Sequence, residues 1–288
     1  MSTPCSLPPI PSDSGSLVEP VIPSLAAGSI AVLATPEPAG KIELSREIAA
    51  RWRRGALAVG HAKPPDRPAR PARPALLPPR AMPKRRAGGS LAGRIALLHA
   101  LAHIELNAID LAWDIIARFA GVALPRAFCD DWVTVAAEEA EHHALLAARL
   151  AALGAGYGDL PAHDGLWEAA AATAGDLLAR LAVVPLVLEA RGLDVTPQIA
   201  VRLERAGDRQ SAELLRRILA DEIGHVAIGI RWFERLCRVR GLDPEASFRE
   251  AVRRNFKGDL KPPFNREARA AAGFPARYWE PLAARLDK

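Results

Sequence analysis

The stretch "VAAEEAEHHALL", Val135 to Leu146, places three glutamates and two histidines in six consecutive positions of a segment otherwise rich in alanine and leucine. On a helical wheel with 100° per residue, Glu139 lies at the centre of the apolar face. That face is formed by Trp132, Val135, Leu146 and Leu150. The pattern therefore predicts a buried glutamate, and burying a carboxylate requires a compensating charge or hydrogen bonds.

A second segment, "ILADEIGHVAIGIRWF" at residues 218–233, repeats this arrangement. Glu222 occupies the centre of its apolar face, and His225 follows three positions later. One Glu-x-x-His pair on a helix is weak evidence for a site, but this chain has two with the same placement. The repetition indicates a shared role for both segments.

The first segment alone does not choose between His142 and His143, because both border its apolar face. The second segment distinguishes between these two histidines when the two segments are aligned on their glutamates. Its position equivalent to His143 is Val226, so the residue that corresponds to His225 is His142. We therefore expect His142 to act together with Glu139.

Two further segments each place one glutamate on a core-facing position, Glu105 in "LLHALAHIELNAIDLAW" and Glu189 in "LARLAVVPLVLEARGLD". Glu105 precedes Glu139 by 34 residues, and Glu189 precedes Glu222 by 33. The chain thus contains two predicted helical hairpins that each read Glu, then Glu-x-x-His. The segment "LGAGYGDLPAHDG" between them is long enough for a crossover connection.

Packed face to face, these hairpins would gather four carboxylates and two imidazoles, which require a cation for charge balance. An oxygen-rich site with two imidazoles suits iron or manganese better than calcium or structural zinc. The donor set therefore predicts iron, with manganese as the alternative. The predicted ligands are Glu105, Glu139, His142, Glu189, Glu222 and His225.

Glu138 and Asp221 each precede a predicted ligand glutamate and lie 100° round the helix. From there a carboxylate could accept the outer N–H of a ligand imidazole on the neighbouring helix, although a solvated position is an equal alternative. His99 and His103 face away from Glu105, so we expect them to hydrogen-bond the N-terminal arm or the C-terminal segment. Pro185 should kink its helix one turn before Glu189.

Helix-breaking residues divide the chain into segments with helical periodicity, which predicts an all-α fold. We predict a disordered tail over residues 1–40, a short helix (42–58) and a basic proline-rich arm within 41–89, a four-helix bundle over 90–240, and a C-terminal helical extension over 241–288. The predicted long helices span 90–119, 127–152, 165–191 and 209–239. A short helix is expected after Pro197.

The formal net charge of +5 comes from one segment, because residues 41–94 carry fourteen Lys/Arg against three acidic residues. Within it, "KPPDRPARPARPALLPPRAMPKRR" is too rich in proline for helix and should be extended. We expect this arm to lie on the outward stripe of the first long helix, formed by His103, Asn107, Asp110 and Asp114. The alternative is a contact between residues 41–94 and the phosphates of a nucleic acid.

Three scattered cysteines, Cys5, Cys129 and Cys237, do not form a disulfide framework, which favours a reducing compartment. No run of eighteen apolar residues occurs, and Lys41 is the first basic residue. We therefore expect a cytoplasmic protein with neither a membrane span nor an export signal.

The motifs "LLHALAHIELNAIDLAWD", "YGDLPAHDGLWEAA", "VLEARGLDVTP" and "DEIGHVAIGIRWF" resemble the signatures of an uncharacterised ferritin-like family, one of the domain-of-unknown-function families. The resemblance spans residues 42–286, and its departure is the second histidine of "EEAEHH". It implies a ferritin-like four-helix bundle with a crossover connection and a dinuclear carboxylate site, which we expect to hold two Fe ions, with Mn or a mixed Mn/Fe pair as alternatives. It implies no particular reaction.

The predicted function is a non-haem dinuclear metal oxidoreductase that activates O2 or peroxide, acting on an unknown small-molecule substrate with an external electron donor. Hydroxylation or desaturation, peroxide reduction and ferroxidase activity all remain open. One alternative is a di-iron oxygenase directed to nucleic acid, such as tRNA, by the basic arm. Another is a non-enzymatic metal-binding helical bundle. A homodimer is an open option.

Overall fold

The computed structural model describes residues 22–83, 89–257 and 259–283. Every regular element in these ranges is helical, as predicted. The helices are α1 (Leu25–Ala34), α2 (Pro38–Arg53), α3 (Leu91–Phe119), α4 (Arg126–Ala152), α5 (Gly165–Ala172), α6 (Leu177–Val183), α7 (Ala190–Arg205), α8 (Arg209–Arg240), α9 (Pro244–Asn255), α10 (Arg266–Ala271) and α11 (Ala276–Trp279). A π-helical segment, Val184–Glu189, joins α6 to α7, and 3₁₀ turns lie at Pro79–Ala81 and Glu280–Leu282.

The first hairpin consists of α3 and α4, which pack along each other and match the predicted helices closely. The Ser90 hydroxyl caps α3 by accepting a hydrogen bond from the Gly93 N–H at 3.1 Å. The connection over residues 120–125 is short, so the two helices run antiparallel. Their shared apolar surface buries large side chains, including Ile109, Trp113 and Trp132.

The second hairpin consists of α6, the π segment and α7 on one side and α8 on the other. The predicted single helix over 165–191 is wrong, because it is interrupted between α5 and α6. The buried guanidinium of Arg180 binds Ala170 O at 2.7 Å and Thr173 Oγ1 at 2.9 Å, both at the end of α5. Asp176 then caps a new helix by accepting from the Leu178 N–H at 2.9 Å.

The predicted helix end at residue 191 and the separate short helix after Pro197 are also wrong, since α7 runs from Ala190 through Pro197 to Arg205. A proline inside a helix frees the carbonyl four residues earlier, here that of Leu193. The side-chain amide of Asn265, which lies far along the chain, donates to this carbonyl at 3.1 Å. The helix continues because a distant residue replaces the missing hydrogen bond.

The π segment begins at Val184 and includes Pro185, where a kink was predicted. A glycine on α8 allows this irregular backbone to approach closely. An added Cβ at Gly229 would lie 2.5 Å from Pro185 Cβ and 2.7 Å from Pro185 Cγ. Gly229 is therefore required for the packing of α8 against the π segment.

The expectation of a disordered tail over residues 1–40 is wrong for α1; residues 1–21 lie outside the described residues. Helix α1 packs against α2 and α3, and it buries Leu25, Val32 and Leu33 completely. Its sequence "LAAGSIAVLA" is apolar all round and carries no charge. Such a helix is stable when other elements cover it. The many prolines of residues 1–40 pointed to disorder and hid this helix from the prediction.

The basic arm lies on the predicted stripe of α3. The guanidinium of Arg70 donates to Asp110 Oδ2 at 2.5 Å and to Asn107 Oδ1 at 2.6 Å. The buried Lys41 ammonium donates to the other Asp110 oxygen at 2.6 Å. Three residues before Arg70, the arm residue Arg67 forms an ion pair with Asp164. The contacts confirm docking of the arm over its described residues.

Within the described ranges, α3 is the one helix long and apolar enough to cross a bilayer. Its apolar window is 67% buried inside the protein. It also carries Asp110 and Asp114, both fully buried in ion pairs with arm or core residues. These features are those of a core helix, as the sequence predicts.

Candidate metal centre

The six predicted ligands come together at the interface between the two hairpins. Four of them, Glu105, Glu139, His142 and Glu222, each offer an atom within 4.8 Å of the others. A second group with the same spacing consists of Glu189, Glu222 and His225. Glu222 belongs to both groups, so the arrangement provides two adjoining sets of ligand atoms.

Regular helices α3, α4 and α8 supply five of these residues, and the π segment supplies the sixth. Glu139 lies between the two imidazoles, with one oxygen 3.4 Å from His142 Nδ1 and the other 3.0 Å from His225 Nδ1. Glu105 approaches His142 Nδ1 at 3.4 Å. Glu189 is the last residue of the π segment and is half-buried, unlike Glu105 and Glu139.

The two imidazoles point their Nδ1 atoms into the cluster and are held from outside by carboxylates. His142 Nε2 lies 3.0 Å from Asp221 Oδ2, and His225 Nε2 lies 2.8 Å from Glu138 Oε2. These are the two contacts expected for Asp221 and Glu138. Each carboxylate belongs to the opposite hairpin from the imidazole it contacts, so the hairpins brace each other at this point.

Several buried atoms of the cluster have no hydrogen-bond partner among the described residues. They are Glu105 Oε2, both oxygens of Glu139, Glu189 Oε2, Glu222 Oε2, His142 Nδ1 and His225 Nδ1. Buried polar atoms are normally hydrogen-bonded, so a concentration of unpartnered ones demands a ligand. All of these atoms are oxygen or nitrogen atoms of the kind that bind transition metals.

The electrostatics of the cluster lead to the same conclusion. Burial raises the pKa values of Glu105, Glu189 and Glu222, and nearby carboxylates raise them further. Burial opposes charge on His142, but contacts with Glu105 and Glu139 raise its pKa to about 11. Without a cation, protons must balance these charges, and a bound metal would displace them.

His143 lies outside the cluster, as the comparison with Val226 predicts. Its Nδ1 donates to Ala102 O at 2.8 Å, and its ring meets Tyr157 edge-on at 5.1 Å. Burial lowers the pKa of His143 to about 4, so it is neutral near pH 7. It is a packed core residue between α3, α4 and the connection that follows α4.

The expected partners of His99 and His103 are wrong. Both residues contact the connection between the hairpins rather than the arm or the C-terminal segment. His99 Nε2 accepts from the Gly158 N–H at 3.0 Å, and His103 lies 2.8 Å from the Tyr157 hydroxyl. The wheel identifies the face of each histidine but not the loop that covers it.

A cavity of about 470 Å³ adjoins the cluster and is lined by Glu105, Glu139, Glu189 and Glu222. Its other walls come from α3, α5, the π segment, α7, α8 and α10, and from the segment after α9, which contributes Phe256, Lys257, Leu260, Lys261 and Phe264. The helical periodicity did not predict these residues as part of the site. The run "FKGDLKPPF", which mixes aromatic and basic residues, was the available signal, but no periodicity connects it to the cluster.

Comparison with known proteins places the chain among similar sequences. An uncharacterized protein of Haemophilus influenzae is 44% identical over 204 residues, which are 69% of this chain and 70% of that protein. No solved structure matches the chain. A family model described as "Protein of unknown function (DUF455)" matches residues 34–280. The chain belongs to this family, DUF455.

Proposed function

We propose that the protein is a ferritin-like dinuclear metal oxidoreductase that activates O2 or peroxide at this cluster. The observation that carries the proposal is the convergence of three buried glutamates, the half-buried Glu189 and two histidines, whose inward atoms lack partners among the described residues. Two helical hairpins that each supply Glu and Glu-x-x-His match the arrangement of ferritin-like carboxylate proteins. We propose two iron ions, with manganese or a mixed pair as alternatives.

A bound iron pair would supply the redox chemistry for reducing O2 or peroxide. The chain's own residues hold the site in place. Asp221 and Glu138 accept the outer N–H of His142 and His225, which directs both Nδ1 atoms inward. Glu139, fully buried between the imidazoles, is well placed to contact both ions.

The adjoining cavity favours oxidation of an organic substrate over oxidation of iron alone. It brings an apolar space against four of the candidate ligand carboxylates. In a hydroxylation, O2, one substrate C–H bond, two electrons and two protons would give an alcohol and water. The electrons would come from an external donor. We retain the proposal of a cytoplasmic location.

The nucleic-acid alternative stays a proposal with less support. Arg70 and Arg67 of the arm already form ion pairs with Asp110 and Asp164 of the helical core. These guanidinium groups would have to leave those carboxylates before binding phosphate. A non-enzymatic metal-binding bundle is opposed by the cavity, because a structural site needs no space for a substrate. A homodimer also stays a proposal.

Metal analysis of anaerobically purified protein tests the proposed centre. We expect about two ions per chain, and we expect Glu139→Gln to lose both. The control is Glu141→Gln, two residues along the same helix, whose carboxylate is partly exposed and forms an ion pair with Arg46. His142→Ala should also lose metal, whereas His143→Ala should retain it.

Two results would contradict the centre: wild-type protein that takes up no transition metal, or a Glu139→Gln variant that retains two ions. Addition of O2 to the iron-loaded protein then tests the redox proposal. We expect a change in the optical spectrum and consumption of O2 that Glu139→Gln abolishes. A loaded wild-type protein that reacts with neither O2 nor peroxide would leave only a metal-binding role.

A further inference from the structure

We propose that the cavity beside the metal centre binds an amphipathic organic anion, with its apolar part next to the ligand carboxylates and its carboxylate or phosphate at a lysine-bearing mouth. This inference rests on the proposed function, because it names the substrate class of that site. It follows from the distribution of apolar and charged side chains along the cavity.

The inner walls are apolar. They include Leu111, Leu166, Val187, Leu188, Val195 and Ile218. A volume of about 470 Å³ lies within the range of pockets that hold small organic molecules. Apart from the metal-ligand carboxylates, the buried part of the lining carries one charged pair, Arg269 and Asp194, which bind each other. A substrate that reaches the centre must therefore place an apolar portion there.

The mouth has the opposite character. Lys257, Lys261 and Asp259 line the cavity and are exposed, so they mark where it meets solvent. Two ammonium groups against one carboxylate give this rim a positive charge. Within the described residues, neither lysine forms an ion pair, so both are available to a ligand. A rim of this kind favours an anionic group.

The remaining charged side chains of the cavity wall, Arg269, Asp194 and Arg191, form contacts within the protein, although the buried Arg269 Nη1 has no hydrogen-bond partner among the described residues. The buried guanidinium of Arg269 donates to both oxygens of Asp194, at 2.8 and 2.7 Å. Arg191 donates to the carbonyls of Lys261 and Pro263 at 2.6 and 3.0 Å. Arg191 therefore ties the lysine-bearing segment to α7, which holds the mouth beside the cavity.

Binding of decanoate to the full chain, measured by calorimetry, tests the inference. Decan-1-ol and decyltrimethylammonium share the ten-carbon chain but replace the anionic group. The protein is measured both metal-free and loaded with Zn²⁺, so that binding is separated from redox chemistry. We expect decanoate to bind about tenfold more tightly than either comparison ligand, a difference typical of one charge-assisted hydrogen bond.

Two sets of variants locate the ligand. The Lys257→Ala/Lys261→Ala double variant should lose about tenfold in decanoate affinity and none in decanol affinity, because only the charged contact is removed. Lys63→Ala, an exposed arm lysine outside the cavity lining, should bind like wild type. Gly192→Phe should block all three ligands, because Gly192 lines the cavity and an added Cβ there meets no described atom within 4 Å.

Decanoate that binds no more tightly than decanol or the cation would overturn the inference. So would unchanged decanoate affinity in the double lysine variant, or in a folded Gly192→Phe variant. The proposed function can fail separately. Selective decanoate binding by a chain that takes up no metal would contradict the metal centre alone, whereas full metal loading without anion selectivity would contradict this inference alone.

Discussion

The first hairpin, α3–α4, and the second hairpin, from α6 to α8, each supply two glutamates and one histidine to the same cluster, but their backbones differ. Glu105 is buried in the middle of a regular helix of 29 residues. Glu189 is half-buried at the end of a π segment, between a helix of seven residues and one that contains Pro197. The ligand pattern is repeated, whereas the helical geometry is not.

The two hairpins differ in what surrounds them as well as in their backbones. The first hairpin is fixed on its outer side by the arm, α1 and α2, and its helices are uninterrupted. The second hairpin supplies more of the cavity lining than the first, including Leu188 and Val195. π segments inside α-helices occur frequently at functional sites. The irregular half thus lines the cavity beside the cluster, whereas the regular half supports the cluster with uninterrupted helices.

The largest effect should come from two single variants, each of which removes one candidate ligand carboxylate from one hairpin. Glu105→Gln should weaken metal binding in the set that includes His142, and Glu189→Gln in the set that includes His225. Each loss should exceed about 100-fold, because removing even an outer partner of a ligand costs roughly 10–100-fold. Metal titration of each variant measures the affinity of the two sites. If either variant lost neither ion, the assignment of that glutamate would be wrong.

A smaller effect is expected for the two bracing carboxylates. Asp221→Asn and Glu138→Gln should each lower metal affinity by about 10–100-fold, because the ligand imidazole loses its outer acceptor. Both side chains are partly exposed, at 37% and 42%, so the fold should tolerate the change. Competition with a chelator measures the affinity. Each carboxylate contacts the ligand imidazole of the opposite hairpin. Unchanged metal affinity in both variants would show that these contacts do not support metal binding.

The packing of the irregular half can be tested through Gly229. Gly229→Ala should lower the free energy of unfolding by about 1–3 kcal/mol, because the new methyl group would clash with Pro185. Gly224→Ala is the matched control on the same helix. It is exposed with no described atom near its Cβ position, so it should be neutral or stabilising. Urea unfolding of the metal-free proteins compares them, and equal stabilities would contradict the role given to Gly229.

The last effect concerns pH and the regular half. Burial lowers the pKa of His103 from 6.5 to about 4, so the unfolded chain binds this proton more readily. Stability contributed by neutral His103 should therefore be complete above pH 6.5 and decrease progressively toward pH 4. The loss at pH 5 should be about 2 kcal/mol. Unfolding of wild type and His103→Gln between pH 7 and 5 isolates this contribution, and parallel curves would exclude it.

Side-chain periodicity explains why the candidate ligands were predictable. A helical wheel depends only on local geometry, so the burial of Glu105, Glu139 and Glu222 follows from their neighbours within two turns. The choice of His142 over His143 also needed no structure, because Val226 in the corresponding position supplied the comparison. The stripe that receives the arm was predictable for the same reason, since Asn107 and Asp110 face away from Glu105.

The sequence by itself thus determined the helical class, the two Glu and Glu-x-x-His sets and the docking of the arm, because each depends on local periodicity or charge. Only the tertiary structure decided the path of the second hairpin. Arg180 ends α5, and Asn265 sustains α7 through Pro197, both through contacts made outside those helices. The cavity likewise depends on residues after α9 that meet α7 only in the folded chain. Such long-range contacts leave no periodic trace in the sequence, which is why they required three dimensions to be found.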